Sequence, residues 1–252
     1  MRFYFRPLQC FRTEVASDNV DNGTTEKKYE QWYNLGKEAK WQQNVQEEQE
    51  HVSKKACLED KDGDACLAWA DILKFKGDYK DALNVFKEQC DVYQSPMACL
   101  KAADMFRKDN YGTQDQPCAQ EYYKKGCDKG HALGCFVSGF LLTSTKLIDQ
   151  PRYREALPFY EKGCDYLHDR ACFMASEFYR RGVGTERDPV KAFEYASRAC
   201  DLNHQYGCIN ASKMTADGDG IPQSTEVSEA FKEKLKSIMM KKLEERKEAS
   251  QL

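Results

Sequence analysis

The sequence predicts an all-α solenoid of repeated helical hairpins, and its cysteines are the first sign of that fold. Ten of the twelve cysteines form five close pairs, whose first members follow one another at 33, 37, 37 and 36 residues. This period is typical of two-helix repeats. Large, small and large side chains also recur one, four and six residues after the second cysteine of each pair. The pairs are Cys57 with Cys66, Cys90 with Cys99, Cys127 with Cys135, Cys164 with Cys172, and Cys200 with Cys208.

Composition excludes several classes of protein. With 38 Lys and Arg against 41 Asp and Glu, the net charge is −3, so the chain lacks the basic surplus of a nucleic-acid-binding protein. The mean hydropathy of −0.78 indicates thin, solvated elements. The longest nearly apolar stretch, 132–143, is shorter than the roughly 20 residues that a membrane-spanning helix needs. We therefore expect no nucleic-acid partner and no membrane span.

Two regions of different character precede the first cysteine pair. Residues 1–25 contain Arg2, Arg6 and Arg12 without the apolar run of a secretory signal, so we expect a weak transit segment or a disordered tail. In residues 26–57, aromatic and small side chains follow helical spacing. We interpret these residues as N-terminal capping helices that cover the first repeat.

Residues 58–222 are predicted to hold the repeats, each a helix A followed by a helix B. Four hairpins begin near Ala65, Ala98, Gly134 and Ala171, and a fifth helix A follows Cys208. Small residues stand in helix A where a neighbouring helix must approach closely. Residues 223–252 are predicted to form a C-terminal capping helix with a charged end, as solenoids require.

The cysteine pairs join the end of helix B to the start of the next helix A. Residues eight apart in one helix are about 12 Å apart, which is too far for a disulfide, so the chain must reverse between them. We expect five disulfides within the pairs, each fastening one repeat to the next. Closing a loop of this size contributes about 2 to 3 kcal/mol in the chain-entropy model.

Metal binding is the competing interpretation, because three pairs enclose a histidine. His131, His168 and His204 each stand midway between the two cysteines of their pair. No fourth ligand recurs and the first two pairs lack a histidine, whereas a structural zinc site needs four ligands. We therefore predict structural turn histidines and no metal.

Cys118 and Cys10 have no partner in the repeat pattern and are predicted to be free thiols. Cys118 lies nine residues before Cys127, where neighbouring repeats carry Asp81, Glu155 and Lys191. These equivalent residues favour solvent, so we expect Cys118 on the outer face of its helix.

From Ala171 to Cys200 the chain resembles a Sel-1-like repeat, as its Phe178-Tyr179, Gly182-Val183-Gly184 and Lys191-Ala192 segments indicate. The added cysteine pairs resemble those of the cysteine-rich, Hcp-like subfamily. The resemblance implies a right-handed, TPR-like α/α solenoid in the mitochondrial intermembrane space, oxidised by the disulfide-relay import machinery. It also implies a monomer that binds protein partners and serves respiratory-complex assembly, chiefly of cytochrome c oxidase and also of complex I.

Three functional classes stay open. The leading hypothesis is a non-enzymatic scaffold, since no Ser-x-x-Lys, G-x-S-x-G, HExxH or P-loop motif occurs. A second is a redox or haem-handling protein. Haem has been attributed in the family to histidines whose positions here carry Phe136 and Thr143, so we expect no cofactor. A third is a secreted or lumenal Sel-1-like or β-lactamase-like protein.

Overall fold

The computed structural model describes residues 47–108, 111–144 and 150–249, and every regular element among these residues is helical. The predicted tail and most of the predicted N-terminal capping helices lie outside the described residues. The described residues divide into two units, one ending at Ala82 and one beginning at Leu83. No described helix is both long enough and apolar enough to cross a membrane.

The first unit contains a disulfide-closed turn between two helical segments. Residues 47–55 are helical and run into the π-helical turn Ala56–Asp60, and helix α1 follows over Gly63–Lys76. Asp62 caps α1 because its carboxylate accepts the backbone N–H groups of Asp64 and Ala65. The next helix, α2, spans Tyr79–Asp91 and includes the boundary between the two units.

The second unit continues the alternation of A and B helices. Each B helix packs against the A helix before it and the A helix after it. The predicted all-α solenoid of helical hairpins is thereby confirmed, and each helix A begins two residues before the position expected from sequence. The helices are α3 Pro96–Arg107, α4 Gln116–Asp128, α5 Ala132–Thr143, α6 Tyr153–Asp165, α7 Asp169–Arg181, α8 Pro189–Asp201, α9 Gln205–Asp217 and α10 Thr225–Ala249.

Small residues in the A helices lie where the following helix crosses closely. A Cβ atom at Gly139 of α5 would lie 2.8 Å from the ring of Tyr160 in α6. In α7, the hydroxyl of Ser176 donates to the backbone carbonyl of Ala192 at 2.8 Å. These contacts explain the recurring small position, since the hairpin has no room there for a larger side chain.

The turn between α7 and α8 has the caps that its sequence predicts. Gly182 ends α7 in the left-handed conformation with φ of 67°. Asp188 begins α8 by accepting the N–H of Lys191 at 3.0 Å, and Pro189 occupies the first turn, where its missing N–H costs nothing. Local chemistry therefore fixes both helix boundaries.

Successive B helices, with α10 in the last place, are joined by four ion pairs along one surface. Each pair links an aspartate that follows the first cysteine of one pair to a cation one repeat later. The pairs are Asp91–Lys125 at 2.8 Å, Asp128–Lys162 at 3.0 Å, Asp165–Arg198 at 3.0 Å and Asp201–Lys234 at 2.6 Å. All are partly exposed, so each contributes about 0 to 1 kcal/mol and the series mainly supports the repeat register.

Candidate functional site

The structure places all ten paired cysteines in the five predicted disulfides. Their Cα atoms are 4.4 to 4.7 Å apart, near the lower end of the usual disulfide range. Nine of the ten side chains are at most 1% exposed, and Cys57 is 7% exposed. The disulfides are therefore part of the core and are shielded from solvent.

Glycine permits this close approach beside the last three disulfides. A Cβ atom at Gly163 would lie 2.8 Å from the Cβ of Ala171, and one at Gly207 would lie 2.6 Å from the Cβ of Ala199. A Cβ atom at Gly134 would meet the backbone nitrogen of Cys127 at 3.1 Å. The residues beside the cysteines must therefore be small for the two helix ends to meet.

His131, His168 and His204 are helix N-caps. In each, Nδ1 accepts a backbone N–H three residues later at 3.3 Å, from Gly134, Ala171 and Gly207 respectively. Burial lowers the pKa of all three imidazoles, which favours the neutral form that can accept at Nδ1. The histidines thus supply the orphan amides at the starts of α5, α7 and α9 with an acceptor.

This arrangement does not fit the alternative zinc interpretation. A zinc site needs thiolates, but the cysteine sulfurs on both sides of each histidine are bonded to each other. The Nδ1 lone pair of each histidine already accepts a backbone N–H. The three potential ligands of each turn are therefore engaged in the structure of the turn itself.

The prediction for Cys118 is wrong. Its side chain is only 5% exposed and it is disulfide-bonded, with a partner outside the described residues. The helix register itself is correct, because the equivalent Asp81, Glu155 and Lys191 are exposed. Cys118 differs because a disulfide covers a side chain that the repeat pattern alone would leave in solvent. Cys10, the other predicted free thiol, lies outside the described residues.

The positions that the family resemblance connects with haem do not fit that group. Phe136 packs against the imidazole of His168, with the ring centroids 4.8 Å apart. The Thr143 hydroxyl donates to the carbonyl of Phe140 and contacts the Tyr160 hydroxyl, both at 3.1 Å. Neither residue offers an axial ligand of the usual kinds, so we derive no haem chemistry from this position.

Aromatic side chains form a row across α5, α7 and α9 that sequence reasoning did not separate from the core. We call Phe140, Phe136, His168, Phe173, His204 and Tyr206 the aromatic row. Its ring centroids lie 4.7 to 6.4 Å apart at four successive contacts. Phe140 is 47% and Tyr206 62% exposed, so both ends of the row face solvent. The large residue directly after Cys135 and Cys172 was its sequence signal, because both are phenylalanines.

Comparison with known proteins agrees with the repeat architecture and adds a family. The Sel1 repeat model matches residues 96–131 and 169–204. A Drosophila melanogaster protein, cytochrome c oxidase assembly factor 7 homolog, is 33% identical over 214 residues, which cover 70% of this chain and 80% of the relative. This chain belongs to the cytochrome c oxidase assembly factor 7 family. The Xenopus tropicalis member, cytochrome c oxidase assembly factor 7, is 28% identical over 189 residues, or 72% of this chain and 82% of the relative.

Solved structures support the fold of this assembly factor family member. A Sel1 repeat protein from Oxalobacter formigenes has a TM-score of 0.57 at 18% identity, covering 87% of this chain and 83% of its own. The protective antigen c5321 of uropathogenic Escherichia coli, which has an SLR fold, also has a TM-score of 0.57, at 16% identity over 87% of this chain and 49% of its own. At these identities the similarity establishes the fold alone.

Proposed function

We propose that this protein is a non-catalytic repeat scaffold that acts in the assembly of cytochrome c oxidase. The observation that carries the proposal is its membership in the assembly factor family, over 80% of the length of the Drosophila relative. Sel1 repeats and the assembly-factor relatives point to a scaffold, on which exposed side chains of stacked helices hold other proteins.

The oxidised cysteines support a location in the mitochondrial intermembrane space. Five disulfides in a 252-residue chain need a compartment in which disulfides form and persist. An assembly factor for a mitochondrial enzyme meets that condition in the space served by the disulfide relay. We propose that the chain enters this space reduced, is oxidised there, and acts as a monomer on partners in oxidase assembly, with a further role in complex I.

Depletion followed by native electrophoresis of respiratory complexes tests the function. We expect the level of cytochrome c oxidase to fall, and the full-length chain to restore it. Mitochondrial complexes II and III are the controls, since a general loss of mitochondria would lower them equally. Normal oxidase after complete depletion would reject the proposal.

The location has its own test, because fractionation can separate it from the function. In intact mitochondria the protein should resist added protease, and it should become sensitive once the outer membrane is opened. Its disulfides should be present before lysis, when thiols are blocked in the living cell. Reduced protein in the cytosolic fraction would reject the intermembrane-space assignment.

A further inference from the structure

The exposed side of α5 is unusual among the A helices because it carries no charged residue. Leu133 and Phe140 are 39% and 47% exposed and lie seven residues apart, on one face of the helix. Phe136 is half-buried between them. The same face of α9 presents Tyr206 and Ile209, at 62% and 43% exposure. The aromatic row connects these two apolar patches through ring contacts.

Cations border this surface in a chain whose net charge is negative. Arg170 lies on α7 three residues before Phe173, and its positive charge lowers the pKa values of both His168 and His204, for which burial is the larger cause. Lys213 follows Ile209 by one helical turn and lines a cavity of about 310 Å³ between α9 and α10. Arg170 and Lys213 form no ion pair with the residues that the structure describes.

The carboxylates nearby do not cancel this positive charge. Glu177 on α7 accepts from Arg180 at 2.8 Å and from Asn210 at 2.7 Å. Burial raises the pKa of Glu177, but these donors outweigh it and keep the carboxylate ionised. Asp169 lies at the start of α7, 4.0 Å from Nδ1 of His168. Lys242 adds a further positive charge near His204.

We propose that the aromatic row, with Leu133, Ile209, Arg170 and Lys213, binds an acidic protein segment that carries apolar side chains. The apolar side chains of the segment would cover the exposed rings, and its carboxylates would meet Arg170 and Lys213. Complementary charge and desolvated aromatic anchors are the two features that give such contacts their specificity and energy. The inference rests on the proposed function, since it describes the kind of partner that the scaffold holds.

A synthetic peptide tests this surface without knowledge of the natural partner. The probe is a fluorescein-labelled 14-residue peptide in which Asp and Glu alternate with Leu and Phe, and its matched control replaces every acid with lysine. We expect the purified full-length, oxidised chain to bind the acidic probe in a fluorescence-anisotropy titration and to bind the basic one at least about tenfold more weakly. Equal binding of both probes would overturn the proposal.

Paired variants locate the binding. Phe140→Ser and Lys213→Glu should each raise the Kd of the acidic probe about tenfold, since both residues are exposed. The controls are Val190→Ser and Lys124→Glu, which make the same changes at exposed positions of the B helices α8 and α4. Equal losses in the control variants, or binding unchanged by Phe140→Ser and Lys213→Glu, would overturn the proposal.

The same variants separate this inference from the proposed function. Sedimentation must show a monomer, because a dimer broken by Phe140→Ser would mean that a second copy of this chain covers the surface. In depleted cells, Phe140→Ser and Lys213→Glu should restore less oxidase than Val190→Ser and Lys124→Glu. Full restoration by all four would reject the surface while leaving the assembly role intact.

Discussion

Nδ1 of His168 accepts the backbone N–H of Ala171 at 3.3 Å, and the same imidazole packs against the ring of Phe136 in the preceding repeat. One side chain therefore caps helix α7 and contacts the repeat before it. Phe173 and His204 repeat the ring contact one unit later, with centroids 4.7 Å apart. Helix capping and the packing of successive repeats are coupled through these histidines.

The capping histidines predict a loss of stability in mild acid. Burial lowers their folded-state pKa below the reference value of 6.5, so the unfolded chain binds protons more readily than the folded one. Their contribution is fully present above about pH 6.5 and is lost as the pH falls through the folded pKa values. Thermal unfolding between about pH 7.5 and 5 should show this loss.

The control for this pH dependence is a capping residue that does not titrate. His168→Asn keeps an N-cap acceptor, so its melting temperature near neutral pH should stay close to that of the parent chain. Its decline toward acid should be smaller. An unchanged decline after all three histidines are replaced by asparagine would show that other groups cause it.

Removing one disulfide should destabilise the stack without abolishing it. Cys164→Ser combined with Cys172→Ser opens a loop of eight residues and should lower the free energy of unfolding by about 2 to 3 kcal/mol. Chemical denaturation measures the change. The parent and the variant should approach each other once all disulfides are reduced, and a difference that persists in reductant would assign the loss to packing instead.

Two glycine-to-alanine changes should have opposite signs. A Cβ atom at Gly139 would lie 2.8 Å from the buried ring of Tyr160, so Gly139→Ala should cost about 1 to 3 kcal/mol. At Gly126 in α4 the nearest atom is 3.5 Å away, so Gly126→Ala should be neutral or stabilising through its better helix propensity. Urea unfolding compares them, and equal effects would contradict the close crossing of α5 and α6.

Leu167 predicts a stabilising substitution in a turn. Its φ is 63° in the left-handed region, where a leucine is strained, and its side chain is 71% exposed. Leu167→Gly should therefore raise the melting temperature relative to Asn203→Gly, because Asn203 has φ of 64° and asparagine tolerates this region. The reverse order in differential scanning calorimetry would contradict the strain at Leu167.

The repeat architecture was predictable because its determinants are local and recur. Helix A, helix B, the disulfide pairs and the turn at Gly182 each depend on residues at fixed spacing. Cys118 shows the limit, since its burial depends on a disulfide that no repeat spacing encodes. The aromatic row was missed because Phe136 and Phe173 occupy positions that pack partly inward, and only three-dimensional stacking separates a half-exposed row from a core.

The disulfides leave a simple pairing problem for the folding chain. Each of the five bonds joins cysteines eight or nine residues apart, and no two of the closed loops overlap along the sequence. A chain that emerges residue by residue from a narrow opening therefore presents each of these cysteines next to its correct partner before the following pair appears. Correct oxidation of these ten cysteines can proceed from one end to the other without disulfide exchange.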